Sequence, residues 1–276
     1  MNAFSEIEPK SLEINERRIR KIYLDVDKLA LKHGWVSDWR FTTPREVRDL
    51  LEKWSDIPAE EQENLISKFF IERYAMNNFG KIDYFLLEWE KDPIFNKRMS
   101  IFRDCFFAIQ HSTDSFNPSN LVVPVLITQI DGIIGELLER EGWKFDINSK
   151  KWIPPSPYDP KEKKEFKTGD RAIGNLLNKK RNRLGRTYVG NLIQTNSRYE
   201  IINEGLFQNS FHGNRLTKSS IPSRHKILHG EFIEYGTQKN TLKLILILDY
   251  LSKFNFINLV EPNDDNLATF RDPNNW

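Results

Sequence analysis

The chain has one cysteine among 276 residues, so it can form no internal disulfide. That suits a reducing compartment, and the expected location is the cytoplasm. Without thiolate clusters a structural zinc site is not expected. No glycine-rich phosphate loop appears, which leaves nucleoside triphosphate hydrolysis without a visible cradle. The first residues, Met1 to Glu8, hold no basic region followed by an apolar stretch, so no signal peptide is read there. No apolar run is read as long enough to span a bilayer, and no membrane contact is expected. Charge of one sign is also lacking: 41 lysines and arginines nearly cancel 39 acidic residues, leaving +2. Overall charge therefore selects no class of partner.

Distribution says more. Between Lys161 and Arg186 stand ten lysines and arginines against three acidic residues, including Lys179, Lys180, Arg181, Arg183 and Arg186. Phosphate backbones are the common partner of such a run, and a solvated surface segment is the plain alternative.

The chain reads as all-α. Ile19, Ile22, Val26 and Leu29 recur at helical spacing, with Gly34 as a stop. A short helix should begin near Pro44 with Thr43 as its cap, and another at Pro58, where acidic residues occupy the first turn. That second helix runs through Leu65, Phe69 and Tyr74, and a further stretch past Gly80 carries Leu86 and Trp89. Phe95, Met99, Phe102, Phe106 and Ile109 form the cleanest amphipathic pattern. After a loop from His111 to Pro118, a long helix is expected from about Asn120 to Glu141. Its broad face would hold Val123, Ile127, Ile130, Ile134, Leu137 and Leu138, with Pro124 in the first turn or at a kink. The stretch from Trp152 to Pro160, with Pro154, Pro155 and Pro157, resists both helix and strand. Residues 144–220 are read as an irregular basic insertion, with short helices near 172–183 and 189–194. A final buried helix should span Asn240 to Leu251. The expected organisation is an N-terminal helical extension (1–56), a helical domain (57–260) and a polar tail (261–276).

Near the C-terminal end Arg224 and His229 are separated by four residues and followed by Gly230, with Pro222 just upstream. Histidine exchanges a proton near neutral pH, and arginine offers a permanent positive fork to phosphate. On an ideal helix five residues turn the chain about 140°, so the pair would not share a face well. Arginine's length or a second subunit could close that gap. His225 lies four residues before His229 and could assist. Each residue also has a plainer reading. His229 beside a helix-ending glycine can cap carbonyls. Arg224 can be an ordinary ion-pairing residue and His225 a structural one. Asp131 borders the apolar face of the long helix, where a carboxylate needs a partner; it could orient Arg224 or His229, or pair with another base.

The stretch Ser223 to Glu231, together with Tyr235 to Thr237 and the apolar run Leu244 to Leu251, resembles the HEPN superfamily (higher eukaryotes and prokaryotes nucleotide-binding), whose signature is Arg, four to six residues, then His. Ser223 stands where many members have Asn. The firm resemblance covers about thirty residues. It implies a helical bundle that dimerises and brings two motifs into one cleft, and a metal-independent endoribonuclease. His229 would then move a proton at the ribose 2′-hydroxyl or the leaving 5′-oxygen, and Arg224 would hold the scissile phosphate. RNA is the implied substrate, a homodimer the implied assembly, and no cofactor is required. By analogy alone such proteins act as toxins or phage-defence effectors, which implies an antitoxin or regulatory protein. The alternative is a catalytically inactive helical module that binds RNA or protein. His225 and His229 also form a histidine pair at metal-ligand spacing, with Glu231 or Glu234 as a third donor, but Lys226 stands where the metalloprotease pattern needs Glu.

Overall fold

The computed structural model describes residues 9–36, 39, 41–75, 79–113, 115–149, 151–153 and 223–253. The expected helices near 172–183 and 189–194, the basic residues 179–186, Pro222 and the tail from 261 lie outside them. Within the described residues the chain is mostly helical: α1 (Pro9–Lys32), α2 (Pro44–Asp56), α3 (Ala59–Tyr74), α4 (Ile82–Trp89), α5 (Pro93–Asn96), α6 (Met99–Gln110), α7 (Ser119–Arg140), α8 (Arg224–Leu228) and α9 (Gln238–Ser252).

Local chemistry sets the boundaries. Gly34 adopts φ 72° just past α1, a conformation that a side chain would strain. Thr43 caps α2 in a capping box: its hydroxyl accepts from the Glu46 N–H at 3.3 Å, and Glu46 Oε2 accepts from the Thr43 N–H at 2.9 Å. That backbone bond, above all, holds the Glu46 carboxyl below its usual range. Thr43→Ala should cost about 1 kcal/mol; an unchanged denaturant midpoint would show the box contributes nothing.

The apolar stripe from Phe95 to Ile109 is buried throughout, as its spacing predicts, but it is split between α5 and α6. Arg98 sits at the break. Its Nη1 donates to the Ile94 carbonyl at 2.6 Å, and its Nη2 donates to Glu136 of α7, which also pairs with Lys97. Gly132 leaves room for this arginine on α7, since a Cβ there would lie 3.1 Å from Arg98 Nη2.

On α3 the core side is Ile66, Phe70 and Tyr74; Leu65 and Phe69 are only partly buried and line a groove against Leu50 of α2. An unbroken aromatic series runs through the core: Trp35 stacks on Phe70 at 4.6 Å, and Tyr74, Phe85, Trp89 and Phe102 continue it.

Two findings correct the sequence reading. Residues 144–153 are not irregular: Lys144–Asp146 and Lys151–Ile153 form an antiparallel hairpin, β1–β2, with Phe145 opposite Trp152. Trp152 packs over Gly135 of α7, where a Cβ would meet the indole at an ordinary contact distance of 3.6 Å. Second, α7 has 22 residues and by length and composition could cross a membrane. Half of its apolar stretch is buried within the fold.

Helices α7 and α9 form the central packed pair, and α9 also meets α3 and α4. The buried side of α7 is the expected one, from Val123 to Leu138. Every residue of α9 from Asn240 to Ser252 is buried, including Lys243. The Lys243 ammonium donates to the His33 carbonyl at 2.8 Å, at the C-terminal end of α1, and lies 5.0 Å from the Trp35 ring centre. It joins the N-terminal helices to the bundle.

Candidate functional site

Arg224 opens α8, a five-residue helix that packs on α7. Ser223 precedes it, buried, and its carbonyl accepts the first helical bond from the Ile227 N–H at 3.1 Å. Ile227 is buried and anchors the short helix, while Leu228 beside it is exposed. Five residues cannot hold a helix in isolation, so burial of Ile227 and contact with α7 must fix it.

Helix α8 ends before His229. The N–H groups of Glu231 and Phe232 both donate to the Lys226 carbonyl, at 2.7 and 3.0 Å, and Gly230 takes φ 73° to make the turn. A Cβ on Gly230 would meet nothing within 4 Å, so glycine is needed there for its backbone angle alone. With the Gly230 N–H donating to the Ile227 carbonyl at 3.1 Å, His229 is the C-terminal cap of α8, and it is exposed. The side chain of His225 lies outside the described residues.

Asp131 meets Arg224. Arg224 Nη1 donates to Asp131 Oδ1 at 3.1 Å, with the side chains 39% and 44% exposed. This bond joins residues 93 positions apart in the chain and steadies the guanidinium at the open edge of α7. At this exposure such a pair contributes little to stability, at most about 1 kcal/mol. Its value lies in orientation. A guanidinium has five N–H donors in a fixed fork, and one bond to a carboxylate leaves others for a phosphate oxygen.

After the turn the chain runs back along α7. Asn117 Nδ2 donates to the Gly236 carbonyl at 2.7 Å, and the Tyr235 hydroxyl donates to the Asn120 carbonyl at 3.2 Å. Thr237 then caps α9 by accepting from the Asn240 N–H at 3.1 Å. The sequence reading missed Asn117 and Asn120. Charges around the motif are of both signs: Lys226, Glu231 and Glu234 are all exposed.

Among the described residues no three His, Cys, Asp or Glu side chains gather as a metal would require. Cys105 is buried among phenylalanines, and burial pushes its thiol up to about 11, away from thiolate chemistry. His111 stacks on Phe107, with ring centres 4.0 Å apart. Glu136 is held by Lys97 and Arg98, apart from the motif.

No protein-family model, no curated protein and no solved structure matches this chain.

Proposed function

We propose that the protein is a metal-independent endoribonuclease of HEPN type, working as a homodimer. The observation that carries this reading is the Arg224–Asp131 pair, a phosphate-binding fork held by a carboxylate, on the short helix that ends at an exposed His229, a proton-transfer group. Arg224 binds the scissile phosphate and stabilises the charge that develops in the transition state. His229 takes the 2′-hydroxyl proton or gives one to the 5′-oxygen; the second subunit's motif supplies the other transfer. Asp131 orients Arg224 and takes no part in the chemistry. Ser223 contributes through its backbone, and His225 binds substrate. Lys179, Lys180, Arg181, Arg183 and Arg186 hold the RNA strand by its phosphates, giving binding that weakens steeply with salt. A toxin or defence role, in the cytoplasm and under an antitoxin or other regulatory protein, is compatible with such an activity.

A second reading has its own support. Arg224 already has a carboxylate partner, and an arginine so engaged suits a catalytically inactive module that binds RNA or protein. One experiment separates the two. Wild-type protein should cut single-stranded RNA in excess chelator, and both Arg224→Ala and His229→Ala should slow cutting at least about a hundredfold while keeping the helical fold. A wild type inert on varied RNAs would favour the binding module.

A further inference from the structure

The C-terminal end of α1 meets α9 through buried polar groups. Lys243 is fully buried in α9, and its Nζ donates to the His33 carbonyl at 2.8 Å. The imidazole of the same histidine turns inward. It meets the Trp54 ring of α2 edge on, with centres 5.3 Å apart, and its Nε2 is buried without a hydrogen-bond partner among the described residues. Two residues on, Trp35 stacks on Phe70 of α3 at 4.6 Å, and the Lys243 Nζ lies 5.0 Å from its ring centre. The charges that act on His33 and Lys243 come from Lys32 beside α1's end, Glu63 of α3 and Lys239 of α9. Glu63 is the one carboxylate among them, and Lys239 already donates to it at 3.0 Å. The buried residues of α4 and α7, which also pack on α9, carry no charge.

We propose that this contact is an acid-opened joint: protonation of Lys243 and His33 lifts the end of α1, from Val26 to Trp35, off α9 while the rest of the bundle stays folded. Closed, the joint holds both side chains away from water, which penalises their charged forms. Burial pulls Lys243 down to about 7; Lys239 adds to this and Glu63 opposes it. Burial is also the main cause that lowers His33, with Glu63 opposing and Lys32 and Lys243 adding to it. Opened, both groups are hydrated and titrate at their ordinary values. The open form therefore binds more protons, and a falling pH favours it. Lys243 acts first, from pH 10.5 down to about 7. His33 follows below its ordinary 6.5, now beside an ammonium instead of a neutral amine. Two new positive charges then face one carboxylate that Lys239 occupies. In alkali the neutral amine still donates to the His33 carbonyl, and the Trp35–Phe70 stack holds the joint shut. The Arg224–Asp131 contact lies between α8 and α7, so this opening is separate from the proposed site and independent of the nuclease reading.

Hydrogen exchange of the full chain in low urea, corrected for the intrinsic rate at each pH, reads the opening. Amides from Val26 to Trp35 should exchange through an opening that urea hardly changes. Core amides of α7 should exchange only through global unfolding, which urea promotes steeply. The α1 opening constant should rise on the order of 10–100-fold between about pH 9 and about pH 6. Lys243→Met should abolish the rise above about pH 7. His33→Gln should keep that part and lose the further rise below 6.5. This second variant decides the matter should the methionine protein not fold. The inference is overturned if the α1 amides follow urea as steeply as those of α7, or if their opening constant is the same at both ends of the pH range. It is equally overturned if either folded variant keeps the whole wild-type profile.

Discussion

Replacing His229 with alanine is expected to slow RNA cleavage by about 10²–10⁴-fold, the usual contribution of a placed acid or base. The fold should be unaffected, because His229 is exposed in a turn beyond the end of α8 and takes no place in the core. Arg224→Ala should cost about 10²–10³-fold by removing the donor that meets the developing charge. Its effect on stability should be small, since the Arg224–Asp131 pair is open to water on both sides. Arg224→Lys should fall between, because an ammonium keeps the charge and loses the fork. Asp131→Asn should weaken the reaction less than either, by loosening the guanidinium without removing it. Single-turnover rates in chelator, read beside the unfolding midpoint, check all four. A folded His229→Ala protein that cuts at the wild-type rate would place the chemistry elsewhere.

The second large effect concerns stability. Lys243 is fully buried in α9, and burial lowers its pKa from 10.5 to about 7. Lys239 on the same helix adds to the lowering, and Glu63 of α3, itself paired with Lys239, opposes it. The hydrogen bond to His33 at the end of α1 suits either form of the amine, and the helix dipole and Trp35 favour the charged one. Burial outweighs both. Below about pH 7 both folded and unfolded chains hold the proton, and the folded protein bears the full cost. From there to about pH 10.5 the unfolded chain binds more protons than the folded one, so stability rises with pH. Lys243→Met removes this slope. The variant should therefore be the more stable protein at low pH, and its advantage should shrink on the order of 4 kcal/mol between about pH 7 and 10.5. Denaturant unfolding of both proteins across that range gives the answer. A constant difference would mean that Lys243 keeps its proton in the core.

Some of this was legible in the sequence and some was not, for physical reasons that differ by residue. The start of α2 followed from Thr43 and Pro44, because capping is local chemistry. The stripe from Phe95 to Ile109 was visible because its buried residues recur at alternating spacings of four and three. On α3, Leu65–Ile66 and Phe69–Phe70 are adjacent apolar pairs, and periodicity does not say which member turns inward; packing against α2 and the Trp35 ring decides. The β1–β2 hairpin was hidden because three-residue strands carry almost no period, and Trp152 was read with the prolines that follow it. At the site, Asp131 stood out as a carboxylate beside an apolar face, but only folding selects Arg224 as its partner across 93 positions. Pro124 was visible as a disturbance in α7. Its consequence, an open carbonyl taken by Tyr235, needed the tertiary contact.

Cutting of RNA by Arg224 and His229 is expected to run through the ribose 2′-hydroxyl. The most direct measurement is end-group analysis of the products formed in excess chelator, with a matched RNA carrying a single 2′-deoxy substitution at the cut site. The expected products are a 2′,3′-cyclic phosphate and a 5′-hydroxyl, with no cut at the substituted position. A 5′-phosphate product, or undiminished cutting at the 2′-deoxy site, would contradict it.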